Sequence, residues 1–359
     1  MIYIHVPFCR SFCTYCDFYS EIAEDGMFSR YGDALCDEIR RRKDEFDSRL
    51  HTLYFGGGTP SVLPLAVLTR IILQLQDIGY GGPWDEFTLE ANPEDIVEKG
   101  LPYLSSLRSL GVDRLSLGIQ SFNDEMLAWM NRRHNAERAE KAFRLAREAG
   151  FGNISIDLIF GLSNLQDVVW EATIDKAIAL GPEHISCYQL SVEGDSALAN
   201  MVSCGRYAPA DDELCSRQYA TLCRKLGEAG YRHYEISNFA RPGFESRHNS
   251  GYWARKPYVG LGPSAHSFRD PYRSWNSPQL AGYTSTSEIL TDEDRAVETI
   301  MLSLRTSAGI DGNYLRAHGN AEGLDLMVKE GALVLQEGGR YRIPEDHFFT
   351  SDSIIRELI

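Results

Sequence analysis

From residue 1 to about residue 240, two hydrophobic rhythms alternate. Short runs rich in β-branched and aromatic residues predict strands at 2–6, 52–55, 86–90, 114–119, 154–159, 184–190 and 231–236. Between them, apolar residues recur at helical spacing over 31–46, 65–76, 101–110, 136–149, 168–180 and 212–229. Several of these segments stop at a glycine, as helix C-termini prefer: Gly111, Gly150, Gly181 and Gly230. Repeated strand–helix units require a parallel sheet with right-handed crossovers, either doubly wound or curled into a complete or partial barrel. The polar residues favour the barrel. Cys9–Cys16, Gly56–Thr59, Glu90 and Gln120 fall at or just after the ends of successive strands, and in a barrel such strand C-termini converge on one mouth.

The pattern changes twice more. Over 241–290 Gly, Pro, Ser, Asn and Tyr replace regular periodicity, and an irregular but aromatic-rich segment is expected. Over 291–359 helices are expected at 292–304, 312–318, 321–330 and 351–358, with a hairpin of 333–336 and 340–343 around Gly338 and Gly339. The expected architecture is therefore α/β: a partial barrel over 1–240, an irregular segment over 241–290, and a small α+β, winged-helix-like domain over 291–359.

Composition narrows the function classes. The net charge of −15 argues against nucleic acid as a partner. The run Arg40–Lys43, set among Asp37, Glu38, Asp44 and Glu45, reads as a solvated helix face. No apolar run approaches the ~18 residues of a membrane span, and no signal-peptide succession opens the chain. A reducing cytosol is the expected compartment. Eight cysteines in such a chain then argue for chemistry rather than disulfides.

Three of those cysteines crowd into one loop as Cys9-x-x-x-Cys13-x-x-Cys16, while Cys36, Cys187, Cys204, Cys215 and Cys223 show no ligand spacing. Three thiolates can hold zinc with an outside ligand. They can equally hold a four-iron cubane and leave one iron open. An open iron can chelate the amino and carboxylate groups of S-adenosylmethionine (SAM), and an electron from the cluster can cleave its sulfonium C–S bond. After the second predicted strand comes Gly56-Gly57-Gly58-Thr59-Pro60, a run that lets backbone approach a ligand closely.

The cysteine spacing, with Tyr15 before the third cysteine and the entry strand Tyr3-Ile-His-Val-Pro-Phe-Cys9, resembles the radical SAM superfamily. Glu90-Ala-Asn-Pro93, Arg114–Phe122, Asn131-Arg-Arg-His-Asn135 and Asp157–Leu162 are similar to the coproporphyrinogen dehydrogenase (HemN) family over nearly the whole chain. The resemblance implies a [4Fe-4S] cluster on Cys9, Cys13 and Cys16. It implies SAM contacts from Tyr3, Tyr15, Gly57, Gly58, Thr59, Glu90, Gln120, Arg132 and Asp157, with Glu90 accepting from the ribose hydroxyls.

Two departures separate this chain from the dehydrogenases. Phe18 stands where they carry a further cysteine, and the chain opens directly on its first strand instead of on a leading extension. The segment His248-Asn249-Ser-Gly-Tyr252-Trp253, followed by Tyr258–Phe268, is similar instead to the haem-chaperone branch of the family. That likeness implies haem as cargo, delivered to respiratory apoproteins. A histidine can ligate haem iron, and aromatic rings can flank a porphyrin. His248, Tyr252, Trp253 and His266 are accordingly the haem candidates. Radical decarboxylation of coproporphyrinogen is the alternative activity, and a methyltransferase or another oxidoreductase on the same scaffold is a third.

Overall fold

The computed structural model describes residues 1–24, 26–47, 49–194, 196–280 and 282–359. Nine strands make one open sheet: β1 (Ile2–Val6), β2 (Thr52–Gly57), β3 (Glu86–Ala91), β4 (Arg114–Gln120), β5 (Ile154–Phe160), β6 (His184–Gln189), β7 (Arg232–Glu235), β8 (Asn238–Ala240) and β9 (Val259–Leu261). Their spatial order is β9-β1-β2-β3-β4-β5-β6-β8-β7. All pairs from β9 to β6 are parallel, and β8 pairs antiparallel with both β6 and β7. The sheet does not close on itself, so the fold is a partial (β/α) barrel.

Period-two alternation gives the sheet two unlike faces. Ile2, Ile4, Leu53, Phe55, Phe87, Leu89, Leu115, Leu117, Ile154 and Ile156 are buried in one continuous core. Into that core pack the apolar stripes of the helices that follow each strand, Met27–Arg41, Leu65–Asp77, Pro93–Ser109, Ala136–Glu148 and Asp167–Leu180. The alternate residues are polar: Tyr3, His5, Tyr54, Thr88, Glu90, Ser116, Asp157 and Ser186. Strands of a barrel filled only for stability carry branched apolar residues inside. This interior face is polar instead.

Several elements differ from the sequence expectation. The helix expected from 101 begins at Pro93, because Gly100 interrupts its periodicity with a φ of 63°. Helices Asp124–Trp129 and Ala197–Ser203 are too short to show a period. The strand expected over 231–236 is not another parallel unit but half of the antiparallel β7–β8 pair.

The stretch 241–290, expected to be irregular, carries the helix Arg247–Trp253, strand β9, and an antiparallel sheet of β10 (His266–Arg269), β11 (Tyr272–Asn276) and β12 (Ser285–Ile289). Residue 281 within it lies outside the described residues. These elements are held by polar anchors, which leave no hydrophobic rhythm. The buried Glu86 carboxylate accepts from Ser246 Oγ and from the Arg247 and His248 backbone N–H groups, at 3.1, 2.8 and 3.1 Å. Glu38 accepts from Gly262 N–H at 2.8 Å, Asn276 Nδ2 at 2.9 Å and Tyr283 Oη at 2.5 Å. Glu38 also pairs with Arg42, which in turn donates to the Gly260 carbonyl. The Arg40–Lys43 run is therefore not purely a solvated face: Glu38 is buried and Arg42 ties the first helix to β9.

The C-terminal module has its own core, in which Ile300, Leu304, Leu315, Leu324, Ile343, Ile355 and Leu358 meet. Helices Asp292–Leu304, Gly312–His318, Ala321–Lys329 and Ser351–Leu358 surround a three-stranded antiparallel sheet of Ile310–Asp311, Arg340–Arg342 and Val334–Leu335. A capping box of Thr291 and Asp294 starts it. Ile236 N–H donates to the Arg305 carbonyl and Ser307 N–H to the Tyr234 carbonyl, which joins the module to the β7 edge of the large sheet. Among the described residues no helix is long and apolar enough to cross a membrane.

Candidate functional site

The loop after β1 carries Cys9, Cys13 and Cys16, all partly exposed and none disulfide-bonded. Its shape is imposed from outside. Asn131 Nδ2 donates to the Phe12 carbonyl at 2.6 Å, and Thr14 bonds the Met130 and Trp129 carbonyls through its N–H and its hydroxyl. Arg132 Nη1 reaches Cys13 Sγ at 3.3 Å. Next to it, His134 bridges the Glu94 carboxylate and the Ile119 carbonyl. The Asn131–Asn135 motif thus clamps the cysteine loop.

A ring of hydrogen bonds ties that loop to the sheet. Cys9 Sγ lies 3.4 Å from Thr59 Oγ1, Asn92 Nδ2 donates to Thr59 Oγ1 at 3.2 Å, and Arg132 Nη2 donates to Asn92 Oδ1 at 2.6 Å. Arg132 closes the ring on Cys13 and also donates to the Gly118 carbonyl at 2.6 Å. The glycine run is packed for contact. Gly57 has a φ of 107° and faces the His5 ring, and a Cβ on Gly58 would lie 2.7 Å from the Phe8 carbonyl oxygen. At Gln120 the β4–β5 register shifts and φ is 67°. A non-glycine residue held left-handed inside a strand re-aims its side chain, a feature that clusters at functional sites.

Inside the channel, Tyr54 donates to Glu90 Oε1 at 2.7 Å and Gly57 N–H to Oε2 at 3.2 Å. Burial pushes the Glu90 carboxyl up to about 7 despite these bonds. Burial likewise raises Asp157 to about 6, opposed by hydrogen bonds from Ser186 and Ser116 and by Arg114. Burial also raises Cys9, and lifts Cys16 to about 11. Tyr3 meets Glu90 across Gly56, and Tyr15 lies against Arg132, Cys13 and Cys16. Cys9, Cys13, Cys16, Tyr3, Tyr15, Gly57, Gly58, Thr59, Glu90, Gln120, Arg132 and Asp157 are therefore brought to one mouth and the channel below it. Asn92 and Tyr54 belong with them. Asn92 stands in the Glu90–Pro93 motif; Tyr54 has no signal beyond its interior position in β2.

The donor set fits a cluster. Three free thiols on one short loop can bind three irons of a cubane and leave the fourth open.

Of the four haem candidates, His248, Tyr252 and Trp253 share the helix Arg247–Trp253, and His266 stands on a separate strand. His248 is 1% exposed; its Nδ1 meets Thr52 Oγ1 at 2.8 Å and its Nε2 meets Tyr252 Oη at 3.1 Å. Burial pushes its pKa down to about 3. Its ring packs under Tyr54, 4.9 Å between centroids, so the motif floors the channel beneath Glu90 and offers no free ring nitrogen. Trp253 is half-buried on the same short helix. His266 is exposed at the start of β10, beside Trp275 at 6.1 Å and an electrostatic neighbour of His5. Phe18, at the departure from the dehydrogenase pattern, is 66% exposed next to the cysteine loop.

The family model for the radical SAM superfamily matches residues 3–177. A heme chaperone HemW of Synechocystis is 34% identical, covering 91% of this chain and 82% of its own length. The heme chaperone HemW of Mycobacterium tuberculosis is 33% identical, covering 100% of this chain and 94% of its own. Among solved structures, coproporphyrinogen III oxidase (HemN) from Escherichia coli, described as a radical SAM enzyme, superposes with a TM-score of 0.82 over 99% of this chain and 89% of its own, at 22% identity. At that identity the likeness is one of fold alone.

Proposed function

We propose, from the premise that this chain belongs to the radical SAM superfamily and groups with the relatives named heme chaperone HemW, that it binds haem as cargo and hands it to respiratory apoproteins in the cytoplasm. The observation that carries this reading is the end-to-end likeness to the Mycobacterium tuberculosis heme chaperone.

Cys9, Cys13 and Cys16 hold a [4Fe-4S] cluster, and SAM lies across Gly57, Gly58, Thr59, Glu90, Gln120, Arg132 and Asp157, with Tyr3 and Tyr15 flanking it. When bound, the pair supplies an electron and a cleavable sulfonium bond. The residues do the positioning. Arg132 fixes Cys13 and, through Asn92 and Thr59, Cys9, so the two thiols cannot drift independently. Glu90, held by Tyr54 and Gly57, would accept from the ribose hydroxyls of SAM. Asp157 carries a second acceptor, held by Ser116.

For haem, His266 is the ligand we favour. It is exposed, it has Trp275 alongside, and it neighbours the end of the barrel where the cysteine loop starts. The exposed Phe12 and Phe18 on that loop offer apolar surface to a porphyrin face.

The test is made on anaerobically reconstituted protein. It should develop a Soret band with haem, pass that haem to an apo-cytochrome, and release no carbon dioxide from coproporphyrinogen. Steady turnover of coproporphyrinogen would refute the chaperone reading. An unchanged haem spectrum in His266→Ala would leave the function standing and remove His266 as ligand.

A further inference from the structure

Far from the cysteine loop, three side chains from three elements meet where the C-terminal module abuts the large sheet. Cys223 sits on the helix Asp212–Glu228, His233 on edge strand β7, and Glu345 at the start of the 3-10 turn Glu345–Thr350. Cys223 Sγ lies 3.9 Å from His233 Nδ1, which lies 3.1 Å from Glu345 Oε1. Their ligand atoms all fall within 4.8 Å of one another, the only such group among the described residues. A tetrahedral zinc site with Zn–S near 2.3 Å and Zn–N and Zn–O near 2.0–2.2 Å spaces its ligand atoms about 3.3–3.7 Å apart. The two His233 contacts, 3.9 and 3.1 Å, lie within a few tenths of an ångström of that range.

The surroundings of His233 are those of a metal ligand. Its ring is sandwiched, with Phe239 stacked at 4.2 Å and 12° and Phe348 at 4.9 Å. Its other nitrogen, Nε2, faces Tyr219 Oη at 3.2 Å, and that hydroxyl is itself fixed by donating to the Ile236 carbonyl at 2.9 Å. With Nε2–H donating to Tyr219, a metal-bound His233 would present its Nδ1 lone pair toward Cys223 and Glu345; without metal, Nδ1 is in hydrogen-bonding contact with Glu345 Oε1. A ligating histidine is oriented in this way by an outer partner on its second nitrogen.

We propose that Cys223, His233 and Glu345 form a second metal site that takes one zinc ion and clips the C-terminal module to the barrel. The donor set is one thiolate, one imidazole and one carboxylate. It suits zinc and is wrong for calcium or magnesium, which want oxygen ligands. Three protein ligands leave the fourth position to water, on the side where Glu345 is open to solvent. Zinc binding displaces the thiol proton to bulk water; nothing is oxidised or reduced. His233 and Glu345 are 112 residues apart in sequence, which is why the group has no spacing motif.

The test uses the full-length chain. With its iron–sulfur cluster reconstituted, it should retain one zinc per chain through gel filtration, and Cys9→Ser should retain it too. Cys223→Ser should retain none. Glu345 is exposed, so Glu345→Gln should fold normally and yet weaken zinc by at least about tenfold. Tyr219→Phe keeps all three ligands and should weaken zinc by about 10-fold through lost orientation. In a full-length variant with Cys9, Cys13 and Cys16 all changed to Ser, cobalt(II) should give a thiolate charge-transfer band that disappears on adding Cys223→Ser. Added zinc should raise the melting temperature of wild type more than that of Glu345→Gln. Equal zinc content in wild type and Cys223→Ser, or an equal thermal shift in wild type and Glu345→Gln, overturns the proposal.

Discussion

At the scale of single residues, Glu90 is the most informative group. Its carboxyl is raised to about 7 chiefly by burial, with Tyr54 and Gly57 pulling the other way. The sign of the linkage follows. The folded state holds this proton longer than the unfolded chain, so the contribution of Glu90 to stability falls as pH rises from the ordinary carboxylate range through about 7. Binding a sugar hydroxyl favours the carboxylate, so SAM affinity should rise between pH 6 and 8 in wild type, across the value of about 7, and stay flat in Glu90→Gln. Glu90→Ala should weaken SAM by about 10- to 150-fold, the loss of one charge-assisted hydrogen bond, while the visible absorption of the cluster stays. Calorimetry across that pH range checks both. His248 makes the opposite case. His248→Ala removes a buried ring and leaves Thr52 and Tyr252 without their partner, so it should cost about 2–4 kcal/mol of stability. Its haem spectrum should be that of wild type. Denaturant titration and the Soret band measure the two effects separately.

At the scale of elements, contacts between segments distant in sequence matter more than any helix or strand alone. The glycine run after β2 supports the cysteine loop through backbone contact. A Cβ at Gly58 would meet Phe8 O at 2.7 Å and Val6 O at 3.0 Å, neither of them a flexible side-chain end. Gly58→Ala should therefore take up markedly less iron than wild type, although no thiolate is touched; iron analysis after anaerobic reconstitution decides it. Glu38 plays the matching part for β9 to β11. It is 1% exposed and accepts from Gly262, Asn276 and Tyr283. In Glu38→Ala those donors lose their acceptor, a cost of about 3–5 kcal/mol for breaking a buried charged network. Limited proteolysis should then cut within 262–290 well before it cuts the barrel helices.

For the whole molecule, an open nine-stranded sheet has two edges to manage. The β9 edge is covered by the short β10–β12 sheet through the Tyr258–Phe268 bridge. The β7 edge is covered by the C-terminal module through the Glu235–Thr306 bridge and the Ile236–Arg305 and Ser307–Tyr234 hydrogen bonds. A chain ending before Asp292 should expose β7 as a free strand and the buried Glu235 beside it. Such a truncation is expected to sediment as larger species than the full chain, and analytical ultracentrifugation would show it. Most of the module's apolar residues form a cluster of their own, in line with our proposed division near residue 291, while Phe348 packs into the barrel core. Within 241–290 the division is less sharp, since β9 lies in the barrel sheet itself.

The alternation of strands and helices, the polar residues at strand ends, and the three-cysteine loop were all legible in the chain, because each depends on local spacing. Period two and period 3.6 are written residue by residue, and three ligands within eight residues show their spacing directly in the sequence. Contacts across long separations were not legible. Asn92 joins Arg132 to Thr59 and so to Cys9, and nothing about an asparagine after a strand announces two side-chain partners in two other segments. His248, Tyr252 and Trp253 share six residues of sequence and look like one ligand-binding face. Only the fold turns His248 inward, where Thr52 and Tyr252 occupy both ring nitrogens, and leaves the more distant His266 exposed. The short elements of 241–290 escaped for the same reason. Buried carboxylates at Glu38 and Glu86 hold them, and a hydrogen bond from a residue some 200 positions away leaves no period in the sequence it stabilises.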